Sequence, residues 1–334
     1  MRYVDHWDTV VVTAVRDLTP QVREITLETP WTAAHAPGAH IDVEVPIDGR
    51  PDTRSYSLVG EGAGAPRRIA VKAEPSSRGG SRYMWSLQPG ARLKVTPPSN
   101  SFELSLEPAP YLLVAGGIGV TPIVGMAGVL ARRGADVAML YAGRSRGEMA
   151  YLGELASALG DRLKVFADDE AGGPPDLAAA FAALAADAQA YVCGPAPMLD
   201  AARAAWAAAG RPAARLRFET FGSSGAHPNA AFTVRAPGLG VEVEVPPTRS
   251  MLDALLDAGV EVLADCRRGE CGLCAVDVVA ADGVIDHRDV FLSEGQRQEG
   301  RKICACVSRV AGGVITIEAP WRGDVSITPS KVFG

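Results

Sequence analysis

Residues 265–275 read DCRRGECGLCA, and this stretch decides how the whole chain is read. Cys266, Cys271 and Cys274 stand in the order C-x4-C-x2-C, the plant-type spacing for a 2Fe–2S cluster held by four thiolates. Gly269 and Gly272 let such a loop turn close to a small inorganic core with no Cβ in the way. Zinc is the competing occupant, but structural zinc sites pair two C-x2-4-C knuckles, and only Cys271 and Cys274 form one. A fourth thiolate must come from farther along. Cys304 and Cys306, in KICACVSRV, stand 30 and 32 residues past Cys274, and spacing alone leaves both open. A cluster carries one electron at a time, so the remaining sequence is read for a source of electrons.

Working outward, strands AAFTVRAPG and VEVEVPP and helix SMLDALLDAG precede the loop, and strands AVDVVAADG and VITIEAP follow it. This is an α+β unit with the β-grasp plan of a plant-type ferredoxin, over 230–334. Residues 223–229, within GSSGAHPN, are small and polar with turn formers and read as a linker. Residues 107–222 alternate strand and helix: YLLVAGG, a helix over 122–133, DVAMLYAG, a helix over 148–159, RLKVFADD, a helix over 177–186, QAYVCG, a helix over 196–209 and ARLRFET. Such alternation means a doubly wound parallel sheet. Residues 1–106 read instead as about six short strands with turn residues between them and one short helix, an antiparallel β-barrel. The fold class is therefore multidomain.

With 334 residues the chain is long enough for two or three domains, and 47% hydrophobic with 22% charged residues is a globular composition. No run of about 20 apolar residues is present, so no membrane span is expected. MRYVDHWDTVVV lacks the basic and apolar regions of a secretory signal. A net charge of −6 argues against a nucleic-acid partner. Cysteines in metal-ligand spacing without an export signal favour a reducing, cytoplasmic location. None of the five histidines sits in a C-x-H pair or beside a nucleophile, so catalysis is expected to rest on cofactors, with no catalytic side chain.

Three further stretches carry chemistry. Gly116, Gly117 and Gly119, before Thr121 and Pro122, form a glycine-rich turn between a buried strand and a helix, where a pyrophosphate can approach the backbone. Cys193, Gly194 and Pro195 end a later parallel strand, on the side where such sheets bind ligands; Cys193 either touches a nicotinamide there or is a small core residue. In the barrel, Arg54, Ser55, Tyr56 and Ser57 offer a guanidinium, two hydroxyls and an aromatic wall, and Arg78, Gly79, Gly80 and Ser81 precede a short helix. Both suit a phosphate-bearing planar ligand. Arg144, Ser145 and Arg146 follow the second parallel strand, where a nucleotide ribose or its 2′-phosphate would sit.

The ordered set RSYSL, RGGS, PPSNSFEL, GGIGVTP, YVCGP, C-x4-C-x2-C and CVSR resembles the phthalate dioxygenase reductase family across essentially the whole chain, and is similar to the reductase of vanillate O-demethylase. The resemblance implies FMN on the barrel, NADH on the parallel sheet and a 2Fe–2S cluster at the end. By that match Arg54, Tyr56 and Ser57 contact flavin, and Arg78, Gly79, Gly80 and Ser81 hold its phosphate side. Gly117, Thr121, Cys193, Gly194 and Pro195 line the nucleotide. Phe221 or Phe218 supplies an aromatic near the flavin, and Phe221 is taken. The family's C-V-S-R falls on Cys306, although Cys304 better fits plant-type spacing. The implied activity is relay of electrons from NADH to a separate oxygenase, Rieske-type first and a cytochrome P450 second, with a stand-alone redox carrier or sensor as the remaining alternative. Arg267 and Arg268 are expected over the exposed edge of the cluster, facing the acceptor.

Overall fold

The computed structural model describes residues 6–47, 49–60, 66–74, 77, 79–221 and 225–318. The chain divides into two compact units, one ending at Ser224 and the other beginning at Gly225.

In the first unit, strands β1 (Asp8–Thr19), β2 (Val22–Glu28), β3 (His40–Ile47), β4 (Arg50–Ser57) and β5 (Arg67–Lys72), helix α1 (Gly80–Ser86) and strand β6 (Arg92–Val95) come first. The strands run antiparallel in the order β4-β3-β6-β1-β2-β5. A bridge from Leu58 to Ile69 joins the end of β4 to β5, with Val59 N–H donating to Arg68 O at 2.8 Å. The two edge strands are joined at this point, which closes the sheet into a barrel. Its interior is filled by Val10 and Val12, Ile25 and Leu27, Ile41, Val43 and Val45, Ile69 and Val71, and Leu93 and Val95. The two-residue spacing within each set is the side-chain period of a strand with one buried face.

The second half of this unit contains β7 (Tyr111–Gly116), α2 (Val120–Arg132), β8 (Val137–Gly143), α3 (Leu152–Leu159), β9 (Leu163–Ala167), α4 (Asp168–Ala171), α5 (Leu177–Ala182), β10 (Gln189–Cys193), α6 (Ala196–Ala208) and β11 (Leu216–Glu219). The strands are all parallel, in the order β11-β10-β7-β8-β9. Every residue of β7 and β10 is buried, as helices on both faces require. Two helices are shorter than their apolar patterns suggest. The expected 148–159 helix begins only at Leu152, because Tyr151 takes a left-handed φ of 62°. The 177–186 helix ends at Ala182. The short α4 was not foreseen in FADD. Its first turn holds Asp168, Asp169 and Glu170, which suit the positive end of a helix. Val22, Val59, Ala70 and Phe102 share one apolar cluster with Leu113, Val120, Ile123 and Met126, so barrel and parallel sheet are joined by a common core.

The second unit contains β12 (Phe232–Ala236), β13 (Val241–Val245), α7 (Met251–Asp257), β14 (Ala275–Asp282), β15 (Ile285–Asp286), α8 (Glu294–Glu299), β16 (Lys302–Cys304), β17 (Arg309–Val310) and β18 (Val314–Ile317). Its main sheet has the order β13-β12-β18-β14-β16, with β12 and β18 parallel and the other pairs antiparallel. Met251, Leu252, Ala254 and Leu255 of α7 are buried, in one cluster with Val234, Val276, Ile303 and Ile315. This is the expected β-grasp plan. The small β15–β17 pair and α8 were not foreseen. A capping box between Ser293 and Gln296 starts α8, and the S-x-x-Q spacing in SEGQ was the signal available for it.

Candidate cofactor sites

The cysteine loop lies between α7 and β14, curled by left-handed φ angles at Arg267 (49°), Gly269 (78°) and Gly272 (73°). The curl aims backbone N–H groups at one sulfur: Cys266 Sγ accepts from Arg268 N at 3.5 Å, Glu270 N at 3.4 Å and Cys271 N at 3.4 Å. Burial pushes the Cys266 thiol up, and these three donors oppose it. Cys274 is held down to about 3 by hydrogen bonds from the Cys304 and Cys306 thiols, which are pushed up in return. The two later thiols differ in their surroundings. Cys306 also neighbours Cys266 and receives the Gly269 N–H, so it faces the loop. Cys304, buried in the same apolar cluster as Cys306, ends β16 and neighbours Asp289. Among the described residues no three such groups are already closed around one point, so the thiols stand in hydrogen-bonding reach of one another rather than in coordination geometry. Their mutual contact and the N–H donors on sulfur fit a 2Fe–2S cluster.

Both loop glycines are required by close approach. A Cβ on Gly269 would lie 2.7 Å from Val307 Cγ2 and 2.8 Å from Asp289 Cα, and one on Gly272 would lie 2.3 Å from the Phe291 ring. Arg267 and Arg268 part company. Arg267 is half-exposed and pairs with Asp253 at 2.8 Å. Arg268 is only 11% exposed, with Glu270 at 3.3 Å, so its charge is turned inward and does not lie over an exposed edge as expected.

On β4, Arg54 donates from Nη1 to Thr53 O at 2.6 Å and pairs with Asp52 at 2.9 Å. Its side chain lies across the start of α1, where a Cβ on Gly80 would be 2.9 Å from Arg54 Nε. Arg54 Nη2 and Ser57 Oγ are both buried without a hydrogen-bond partner among the described residues. Unpaired buried polar groups are costly and call for an explanation. An anionic, acceptor-rich ligand such as a flavin phosphate supplies one. Tyr56 is half-buried beside them, and burial pushes its phenol up. Ser55 points elsewhere and donates to Asp42 on the facing strand. Gly79 precedes α1 with φ 122°, its N–H bonded to Ser77 Oγ at 3.1 Å, and Ser81 Oγ accepts from Glu74 N at 3.4 Å. Arg78 lies outside the described residues.

On the parallel sheet, β7 and β10 are neighbours, and the turns that leave their carboxyl ends cross at contact distance. A Cβ on Gly119 would lie 2.2 Å from Cys193 O, and one on Gly116 would lie 2.7 Å from Pro195 Cδ. Gly194 is equally tight, with Met198 Sδ at 2.7 Å. Gly117, at φ 54°, faces open space instead. The two sequence motifs thus meet at one cleft of the kind in which open α/β sheets bind ligands. Thr121 is buried and donates to Ile118 O at 3.0 Å, which braces the turn. Cys193 is fully buried within the apolar cluster, the setting of a small core residue. Phe221 packs on the same cluster, whereas Phe218 lies under Arg203 at 5.5 Å. Beyond β8, Arg146 is engaged by Glu170, with Nε 2.8 Å and 3.0 Å from its two carboxylate oxygens. No described helix is long and apolar enough to cross a membrane.

Known proteins share these features. Residues 113–204 match the oxidoreductase NAD-binding domain family, and 234–311 match the 2Fe–2S iron–sulfur cluster binding domain family. A toluene-4-sulfonate monooxygenase system reductase subunit of Comamonas testosteroni is 38% identical over 317 residues, which cover 92% of this chain and 98% of that one. The crystal structure of phthalate dioxygenase reductase, described as modular for electron transfer from pyridine nucleotides to 2Fe–2S, is 30% identical with a TM-score of 0.72. That match covers 93% of this chain and 98% of the other. A full-length cytochrome P450 of Tepidiphilus thermophilus is 36% identical with a TM-score of 0.63, over 93% of this chain but only 42% of its own length. The chain belongs to the phthalate dioxygenase reductase family and is an NADH-dependent flavin iron–sulfur oxidoreductase, the reductase of an oxygenase system.

Proposed function

We propose that the chain relays electrons from NADH through FMN and a 2Fe–2S cluster to a Rieske-type oxygenase. The observation that carries this reading is the order of the three donor sets along one chain: a barrel with unsatisfied Arg54 and Ser57, a crossing of two glycine turns, and a thiol loop. The chemistry that the bound groups supply is conversion of a two-electron donor into single-electron transfers. The protein supplies position and charge. In this reading residues 1–106 are the flavin barrel, 107–222 the nucleotide domain, 223–229 a linker and 230–334 the ferredoxin module.

Arg54 and Ser57 donate to the flavin, Tyr56 walls it, and Ser55 backs the strand through Asp42; Gly79, Gly80 and Ser81 face its phosphate, and the family resemblance adds Arg78, which lies outside the described residues. Gly116, Gly117, Gly119, Thr121, Cys193, Gly194 and Pro195 form the nucleotide cleft, with Phe221 closing the flavin side. Glu170 occupies Arg146, which favours NADH over a nucleotide with a 2′-phosphate. Cys266, Cys271, Cys274 and Cys306 hold the cluster; the support for Cys306 over Cys304 is its Gly269 N–H and its nearness to Cys266. All six cysteines are free thiols, which suits a reducing cytoplasm. A P450 acceptor is the second reading, favoured by the P450 chain that contains a segment similar to this one.

Anaerobic titration with NADH tests the relay. It should bleach flavin and cluster together, and acid extraction should release FMN. Absence of either change, or release of FAD, counts against the reading. Reconstitution with a Rieske oxygenase and with a P450 decides the acceptor by which one turns over. Arg54→Ala should weaken FMN retention by about 10- to 100-fold, the equivalent of roughly 1.5–3 kcal/mol for a hydrogen bond to a charged group. Equilibrium dialysis against free FMN measures it, and cluster content should not change.

A further inference from the structure

Behind the cysteine loop lies a carboxylate that the relay does not use. Asp289 has no solvent exposure. Its Oδ2 accepts Leu292 N–H at 2.9 Å, and its Oδ1 accepts the Ser308 hydroxyl at 2.9 Å. Ser308 Oγ accepts Arg288 N–H at 3.0 Å in turn, so one carboxylate ties the segment 288–292 to the residue two past Cys306. The same segment carries the loop: Val290 N and Phe291 N donate to Gly269 O at 3.0 Å and 3.2 Å. Gly269 has no room for a side chain, because the Asp289 backbone and Val307 already fill that space. Asp289 therefore sits where the 266–274 loop meets the turn that bears Cys306.

The groups around the carboxylate leave it charged. Hydrogen bonds from its neighbours lower its pKa, outweighing the opposite effect of burial. The His287 ring is 3.7 Å from Oδ1, and the Arg297 guanidinium, which donates to the Asp289 backbone carbonyl at 2.5 Å, also lowers the carboxyl through its charge. Arg288 is held by Asp286 at 2.6 Å. Net charge and hydrogen bonding near an iron–sulfur cluster set its potential. A fixed negative charge disfavours arrival of an electron.

We propose that Asp289 is the positioning residue of the cluster: its carboxylate clamps the Cys306 turn against the loop, and its charge holds the reduction potential down. The proposal rests on Cys306 as a ligand. It is tested in the full chain with Asp289→Asn and Asp289→Ala. The amide keeps the shape, and the Ser308 hydroxyl can turn to accept from it, so Asp289→Asn should keep wild-type iron and sulfide. At the potential where the wild-type cluster is half reduced, this variant should show a reduced-to-oxidised ratio about tenfold higher, a midpoint shift of about +59 mV for one electron. Asp289→Ala leaves Leu292 N–H and Ser308 unpaired, and its iron content should fall. NADH reduction of the flavin should be unchanged in Asp289→Asn. An unchanged midpoint in Asp289→Asn, or iron loss there as deep as in Asp289→Ala, overturns the proposal. Retention of a full cluster by Cys306→Ser would remove the ligand assignment instead, so the two failures are told apart.

Discussion

Cys306→Ser should yield a yellow protein without a cluster, while Cys304→Ser should remain brown. Iron and acid-labile sulfide should be near zero in the first variant and near wild type in the second. Electron delivery to an acceptor protein should fall by at least ~100-fold in Cys306→Ser, since even outer-shell losses at metal sites act on the scale of 10- to 100-fold. Reduction of the flavin by NADH should survive, because its residues lie in the other compact unit. The asymmetry follows from the surroundings of the two thiols. Both lie in one apolar cluster and both reach Cys274, but only Cys306 also neighbours Cys266 and the Gly269 N–H, whereas Cys304 neighbours Asp289. In Cys304→Ser the penalty is one hydroxyl in an apolar setting, about 1–3 kcal/mol of stability. Cluster retention in Cys306→Ser with loss in Cys304→Ser would reverse the assignment.

Gly119→Ala should reduce kcat/KM for NADH by about 100-fold, the scale of a 1 Å misplacement at a reacting centre. The backbone at Gly119 has an ordinary φ of −60°, so strain in the turn itself is not the cause. The cause is the neighbour. An added Cβ would sit 2.2 Å from Cys193 O, 2.5 Å from Cys193 C and 2.8 Å from Gly194 N, all main-chain atoms that cannot swing aside. The β7 and β10 turns must separate, and overpacking of this kind costs about 1–3 kcal/mol of stability as well. Cluster and flavin content should be unchanged. Gly153→Ala is the control. It lies in α3 with nothing within 4 Å of the added methyl, so it should leave kinetics alone and add up to ~1 kcal/mol of stability. Equal NADH kinetics in Gly119→Ala and Gly153→Ala would show that the crossing does not shape the nucleotide cleft.

The three sheet architectures were legible because each imposes its own pattern. Ile41, Val43 and Val45 alternate, as a barrel strand must, whereas YLLVAG is apolar throughout, as a strand covered on both faces must be. The glycines at 116, 117 and 119 announced a close approach of backbone. The partner in that approach, the Cys193 carbonyl, stands 74 residues away in sequence and could not be named from it. The same limit applies to side chains. Nothing in RSYSL says that Ser55 is taken by Asp42 across the barrel, and nothing in DCRRGEC says that Arg268 turns in to Glu270 while Arg267 turns out to Asp253. Spacing left two thiols for one role; their different neighbours become visible only once β16 is in place. Asp289 is silent in the sequence because a lone acid in HRDVF has no pattern until Ser308 and Gly269 are folded against it.

Each apolar cluster of the described residues draws its members from one side of the boundary between Ser224 and Gly225. Wear is thereby compartmentalised. Loss of the iron and sulfide should therefore leave the shared interior of barrel and nucleotide sheet in place, and NADH should still reduce the flavin of protein stripped of its cluster.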